Sequence, residues 1–129
     1  GLCAVVIEDD SEMRQMLTSF LQKDGFQVLT GRSGGEALQL CQRHRGKLDL
    51  VISDITMPGA DGLDLQGYLG IEHPAAKMIF ISGYPRRSLW ERGMLSPEAA
   101  FLQKPFRWED LRQLIEEVTG IATNKSHVQ

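Results

Sequence analysis

Polar side chains that could bind a ligand or react with one lie where apolar runs of the sequence end. They are Glu8 and Asp9 after the first run, Asp54 after a central run, and then Ser82 and Lys104. Together they supply three carboxylates, a hydroxyl and an ammonium. A set of this kind suits the binding of a hard cation and of a phosphoryl group.

Three carboxylates at close range repel one another and raise each other's pKa values unless a cation intervenes. Mg²⁺ resolves this repulsion, because it prefers a few carboxylate oxygens and keeps several waters. We predict Asp9 and Asp54 as direct ligands, Glu8 as a ligand directly or through water, and the backbone carbonyl of Thr56 as a further ligand. Asp54 would then be an ionised oxygen nucleophile that forms an aspartyl phosphate.

Two further side chains complete this predicted phosphoryl site. Lys104 would supply a second positive charge to an incoming phosphoryl group. Ser82 would offer its hydroxyl to a phosphoryl oxygen, and Gly83 beside it would allow close approach of the backbone.

Each of these residues alone also fits an ordinary structural role. Asp54 can cap a turn, and the acidic stretch 8–10 can favour the N-terminal end of the next helix. Lys104 can be a surface lysine and Ser82 a turn residue. The functional interpretation therefore depends on whether all the strand ends meet at one edge of one sheet.

Apolar runs and helical periodicities alternate five times along the chain. The runs predict strands over 2–7, 26–29, 50–54, 77–81 and 99–102. Helices are predicted from an N-cap at Ser11 to Gly25, from Ser33 to near Gly46, over 61–70, over 86–93, and from Trp108 to Gly120. This order indicates an α/β fold, a doubly wound parallel sheet with helices on both faces. The carboxyl ends of its strands lie at one edge, where such sheets bind ligands.

Length and composition fit one ordinary globular domain. The chain has 129 residues, a formal charge of −3 and 42% hydrophobic residues. We expect one domain over 1–120 and a flexible C-terminal tail over 121–129. No run approaches the roughly 18 apolar residues of a membrane helix, and no secretory leader is recognisable, which predicts a cytoplasmic location. No basic cluster supports nucleic-acid binding, and Cys3 and Cys41 are expected to be buried free thiols.

Four segments of the chain resemble the receiver domain of the response regulators of bacterial two-component signalling systems. They are Val-Val-Ile-Glu-Asp-Asp at 5–10, Asp-Ile-Thr-Met-Pro-Gly at 54–59 with Asp61 and Gly62, Ile-Ser-Gly-Tyr at 81–84, and Leu-Gln-Lys-Pro-Phe at 102–106. The resemblance covers about residues 2–120. It implies a flavodoxin-like (βα)5 fold, with five parallel strands in the order 2-1-3-4-5.

The resemblance also implies roles for particular residues. Asp54 matches the phosphoacceptor, and Glu8 and Asp9 match the acidic pair that holds Mg²⁺. Lys104 matches the phosphate-facing lysine, and Ser82 matches the switch hydroxyl. Phe101 matches the switch aromatic, although an ordinary core phenylalanine on a strand explains it equally well.

Partners and activity follow from the same resemblance. The phosphoryl donor would be a phosphohistidine on a sensor histidine kinase or on a histidine phosphotransfer protein. The domain would catalyse its own phosphorylation and dephosphorylation, without being a conventional enzyme. The segments Ser-Gly-Tyr and Gln-Lys-Pro-Phe resemble those of receivers attached to hybrid sensor kinases. The chain could therefore be a stand-alone protein or part of such a kinase. A homodimer through the face of strands 4 and 5 stays open too.

Three other functions compete with this one. The first is a receiver-like interaction module that works without phosphorylation. The second is a metal-dependent hydrolase with an aspartyl nucleophile, which commonly needs a second acid where this chain has Thr56. The third is a nucleotide-binding loop, for which Gly34-Gly35 lack the accompanying Gly-Lys-Ser/Thr pattern.

Overall fold

The computed structural model describes residues 1–55 and 62–122, with the backbone alone described over 62–64. Five strands and five helices alternate along the chain. The strands are β1 (Leu2–Ile7), β2 (Phe26–Gly31), β3 (Leu50–Asp54), β4 (Lys77–Ser82) and β5 (Ala100–Gln103). The helices are α1 (Ser11–Lys23), α2 (Gly34–Arg43), α3 (Gly62–Glu72), α4 (Arg86–Glu91) and α5 (Trp108–Thr119).

The strands form one parallel sheet in the order β2-β1-β3-β4-β5. The predicted fold class and strand order are therefore confirmed. In a parallel sheet every strand ends at the same edge, so the carboxyl ends of β1, β3, β4 and β5 lie together.

Side chains of the strands alternate between two hydrophobic layers, as the two-residue period of a strand requires. In β1, Ala4 and Val6 pack with α1 and α5, whereas Val5 and Ile7 pack with α2 and α3. The other strands divide in the same way, so helices cover both faces of the sheet, and β1 and β3 are buried along most of their length. Cys3 and Cys41 lie buried in the second layer as free thiols, as expected.

Three helix ends differ from the predicted ones: α2 ends at Arg43 rather than near Gly46, α3 continues to Glu72 rather than ending at 70, and α4 ends at Glu91 rather than at 93. The start of α1 differs too. The N-cap of α1 is Asp10, whose carboxylate accepts a hydrogen bond of 3.1 Å from the Glu12 N–H. The prediction of Ser11 as the N-cap was wrong, because both residues cap well and the chain turns one residue earlier. Ser33 caps α2 as predicted, and Gly120 ends α5 in the left-handed conformation.

Candidate functional site

The pairing of β1 with β3 positions the first two carboxylates of the site. Ile7 pairs with Ser53, so the next residues, Glu8 and Asp54, stand side by side at the sheet edge. Both continue the side-chain alternation that faces α1 and α5. Both are also buried, with Glu8 0% and Asp54 5% exposed. Two buried carboxylates in contact need a cation between them, since an unpaired buried charge is very costly.

Lys104, which follows the edge strand β5, supplies that cation. Its Nζ donates hydrogen bonds of 2.8 Å to Asp54 Oδ2 and of 2.5 Å to Glu8 Oε1. Ala100 and Leu102 of β5 face α1 and α5, and Lys104 continues their alternation. The ammonium therefore reaches both carboxylates from the same side of the sheet.

Burial and charge shift the pKa values of this cluster. Burial raises the pKa of the Glu8 carboxyl to about 7, against the hydrogen bond from Lys104 and with a further rise from Asp54. Burial lowers the pKa of the Lys104 ammonium, but the hydrogen bonds and charges of Asp54 and Glu8 outweigh it and the net pKa is raised. Lys104 therefore stays charged at neutral pH, whereas the crowding of the acids makes ionisation of Glu8 less favourable.

Asp9 adds an exposed carboxylate to this buried pair. Glu8, Asp9 and Asp54 each offer one oxygen, and the three oxygens lie within 4.8 Å of one another. All are hard ligands, and Asp9 opens the cluster to solvent. These residues fit a divalent cation such as Mg²⁺, which binds oxygen at about 2.1 Å and keeps part of its water shell. Thr56, the other predicted ligand, lies outside the described residues.

Ser82 lies at the same edge, at the end of β4. It is 0% exposed, and its Oγ accepts a hydrogen bond of 3.0 Å from the Tyr84 N–H. The hydroxyl therefore stabilises the turn between β4 and α4 in this structure.

Phe101, the predicted switch aromatic, pairs with Phe80 across β4 and β5. It is half-buried. Met78, two residues before Phe80, packs in the layer of α2 and α3, so alternation places both rings on the face opposite Glu8 and Asp54.

Two residues near the acidic pair were not singled out from the sequence. Arg14 of α1 donates from Nη1 to the carbonyl oxygens of Glu8, at 2.8 Å, and of Asp9, at 3.4 Å. The carbonyl of Gly31 accepts a hydrogen bond of 3.0 Å from the Glu8 N–H. The position of Arg14, one turn into the helix after the acids, is a signal that points to this contact.

The described part of the chain contains no helix long and apolar enough to cross a bilayer. Residues 4–116 match the response regulator receiver domain family. The chain belongs to this family, the receiver domains of two-component systems.

The relatives of this chain include two proteins from Brucella abortus. The sensor kinase CckA is 33% identical over 114 residues, which are 88% of this chain and 12% of the kinase. The response regulator receiver protein CpdR is 32% identical over 114 residues, which are 88% of this chain and 93% of CpdR. The chain thus spans about an eighth of the first relative and nearly all of the second.

Solved receiver domains have the same fold. The receiver domain of the hybrid histidine kinase CckA superposes with a TM-score of 0.68 at 32% identity, covering 89% of this chain and 96% of that one. TrrA of Thermotoga maritima, solved in complex with Mg²⁺-BeF, gives a TM-score of 0.70 at 28% identity, covering 91% and 98%.

Proposed function

We propose that this domain accepts a phosphoryl group on Asp54 from a phosphohistidine and changes conformation as a result. The donor is a sensor histidine kinase or a histidine phosphotransfer protein. One observation carries the proposal: the Lys104 ammonium holds the buried carboxylates of Asp54 and Glu8 together beside the exposed carboxylate of Asp9. This arrangement gathers a nucleophile, a fixed positive charge and a cation-binding cluster at one solvent-accessible edge.

Mg²⁺ is the proposed cofactor, held by Glu8, Asp9, Asp54 and the backbone carbonyl of Thr56. When bound, the ion offsets negative charge on the phosphoryl oxygens and on the crowded carboxylates. CpdR and CckA are named as receiver and kinase, and TrrA carries Mg²⁺ in its solved complex. The TrrA complex supports the same cofactor here.

The chain's own residues have distinct parts in the transfer. An Asp54 carboxylate oxygen attacks phosphorus in line, a P–O bond forms, and the P–N bond to the donor histidine breaks with its electron pair remaining on nitrogen. That nitrogen takes a proton, and the donor is released as neutral histidine. Lys104 fixes the Asp54 carboxylate and adds positive charge near the phosphoryl oxygens.

The proposed switch begins at Ser82. A phosphoryl oxygen on Asp54 would accept a hydrogen bond from the Ser82 hydroxyl, which would draw this side chain away from the turn that it now stabilises. Phe101 would move into the space that Ser82 leaves, and the surface formed by β4, α4 and β5 would change. A local charge thereby biases a two-state element.

Context and assembly stay predictions. A receiver within a hybrid kinase would relay the phosphoryl group onward, and a stand-alone receiver would bind a partner. The cytoplasmic location, the domain division at residue 120 and a homodimer through the face of β4 and β5 also stay predictions.

Incubation with Mg²⁺ and acetyl phosphate, followed by intact mass spectrometry, tests the proposal. We expect the mass of one added phosphoryl group, lost with EDTA and absent in Asp54→Asn. Asp49→Asn is the matched control, because Asp49 is another buried acid whose Oδ2 accepts a hydrogen bond from the Cys3 N–H. It should still gain the phosphoryl mass.

Equal labelling of Asp54→Asn would contradict the assignment. A folded wild-type domain that gains no mass but still binds a histidine kinase would favour the phosphorylation-independent module.

A further inference from the structure

The guanidinium of Arg86 joins three separate segments on the side of the sheet where Phe101 lies. Its Nη1 donates hydrogen bonds to the carbonyl oxygens of Pro97, at 3.1 Å, and Ala99, at 2.9 Å. Its Cζ lies 5.4 Å from the centroid of the Phe101 ring, within cation–π range. One side chain from the first residue of α4 therefore holds the loop before β5 and the ring on β5.

Helix α4 has little of its own to hold it in place. It is six residues long, Pro85 at the N-cap makes no side-chain hydrogen bond, and its first turn contains no acidic residue. Arg86 and Arg87 instead place two positive charges at the positive end of the helix dipole. Helices this short are unstable without tertiary contacts. The Arg86 contacts therefore help to fix the start of α4, together with the buried Leu89 and the hydrogen bond of 3.2 Å from the Leu89 N–H to the Pro85 carbonyl oxygen.

The same segment begins at Ser82. The Ser82 hydroxyl accepts from the Tyr84 N–H, and Arg86 follows two residues later. Loss of that hydrogen bond would loosen the turn that presents Arg86 to the Phe101 ring. The turn, the arginine and the ring thus form one connected path from the sheet edge to α4.

We propose that Arg86 is a positioning residue of the switch, a latch that holds Phe101 and the start of α4 in the arrangement without a phosphoryl group. This inference rests on the proposed function. In the proposed switch Phe101 leaves its present position for the space at Ser82, and a contact that holds the ring 5.4 Å from the Arg86 guanidinium opposes that movement. Removing the latch therefore favours the switched state.

A titration with beryllofluoride and Mg²⁺ tests the latch, followed by the fluorescence of Trp90 on α4. All proteins carry Trp108→Phe, so that Trp90 alone reports. We expect Arg86→Ala to reach half-saturation at about fivefold lower beryllofluoride, in the range typical of coupled equilibria. Arg87→Ala is the matched control, since it removes the same charge one residue later and Arg87 pairs only with Glu91 of its own helix among the contacts described. It should titrate like the wild type.

Two further variants separate the latch from a charge effect. Arg86→Lys keeps the charge but lacks the planar group that holds two carbonyls and a ring, so it should behave like Arg86→Ala. In a Phe101→Leu background, Arg86→Ala should add little, because the ring through which it acts is gone. Wild-type behaviour of Arg86→Lys, or full additivity with Phe101→Leu, would overturn the proposal.

Hydrogen exchange without beryllofluoride gives a readout that does not depend on phosphorylation. The amides of α4 should exchange about fivefold faster in Arg86→Ala than in Arg87→Ala, because local opening becomes easier. Unchanged exchange together with an unchanged titration would overturn the latch alone. A wild-type chain that shows no beryllofluoride response would instead overturn the proposed function, and the switch role of Arg86 with it.

Discussion

The backbone N–H of Lys104 donates a hydrogen bond of 2.7 Å to the carbonyl oxygen of Ser82. The residue that carries the ammonium and the residue that carries the hydroxyl are thus joined through their main chains, where β4 and β5 end. The Lys104 ammonium then reaches Glu8 and Asp54 from a fixed position. Preorganisation of this kind lets charged groups act on a phosphoryl group without first rearranging.

Lys104 should stabilise the metal-free domain. We expect Lys104→Met to lower the free energy of unfolding by about 1–3 kcal/mol in EDTA, because Glu8 and Asp54 lose the cation between them. Urea unfolding with EDTA and with excess Mg²⁺ measures this, and the deficit should shrink in Mg²⁺. Lys77→Met, at an exposed lysine, is the control. An equal loss in both variants would contradict a special role for Lys104.

Ser82 should affect the switch more than the chemistry. Ser82→Ala removes the acceptor of the Tyr84 N–H, at a cost of about 0.5–1.5 kcal/mol. We expect it to gain phosphoryl mass from acetyl phosphate while the Trp90 fluorescence change is largely lost. Ser82→Thr keeps the hydroxyl and should restore the fluorescence change. A full response in Ser82→Ala would show that the hydroxyl does not transmit the signal.

Gly31 should tolerate no side chain. A Cβ there would lie 3.0 Å from the Ala37 nitrogen and 3.2 Å from its Cα, and both are backbone atoms of α2. We expect Gly31→Ala to cost about 1–3 kcal/mol in thermal or urea unfolding. It should also weaken Mg²⁺ binding, because the Gly31 carbonyl accepts from the Glu8 N–H.

Gly35→Ala is the control for Gly31→Ala. Gly35 lies on α2 with nothing within 4 Å of its Cβ position. Its alanine variant should gain about 0.4–1 kcal/mol, because alanine has less conformational entropy to lose on folding. Similar stabilities for the two variants would contradict the close packing of β2 against α2.

Alkaline pH should destabilise the domain through its buried thiols. Burial raises the pKa of the Cys41 thiol from its usual 9.0 to about 11. Because the folded pKa is the higher one, this contribution to stability is complete below pH 9 and is lost as the pH rises from 9 to 11. At pH 10 the expected loss is about 1 kcal/mol relative to pH 8.

Urea unfolding of the wild type and of Cys41→Ala between pH 8 and pH 10 measures this loss. The variant is expected to be less stable at pH 8, since a buried side chain is shortened, but its stability should fall less with pH. The other ionisable groups are the same in both proteins, so their contributions cancel in the comparison. Identical slopes would refute the buried-thiol explanation.

The fold was readable from the sequence because its strands are continuous apolar runs and its helices are periodic. β1 was predicted with its observed bounds, and the predicted ends of β4 and β5 differ by one residue from those observed. The convergence of Glu8, Asp54 and Lys104 followed from strand order alone, since parallel strands end at one edge. These features depend on local pattern and topology, which a sequence records.

Contacts that long side chains make between loops could not be predicted from the sequence. Arg86 meets Pro97, Ala99 and Phe101, which are 11 to 15 residues away along the chain. No periodicity marks such a contact, because it depends on how the loop before β5 folds back. The N-cap of α1 was predicted at Ser11 instead of Asp10 for a related reason. Both residues cap helices well, and only the direction of the incoming chain decides between them.

The alternation of side chains along the sheet separates two groups of residues onto opposite sides of the sheet. Glu8, Asp54 and Lys104 continue the side of α1 and α5, whereas Phe101 and Arg86 lie on the other side. In the proposed function, the phosphoryl group is therefore received on one side of the sheet and the conformational change occurs on the other. The phosphoryl donor and a protein that recognises the changed conformation could then bind to different surfaces of the domain.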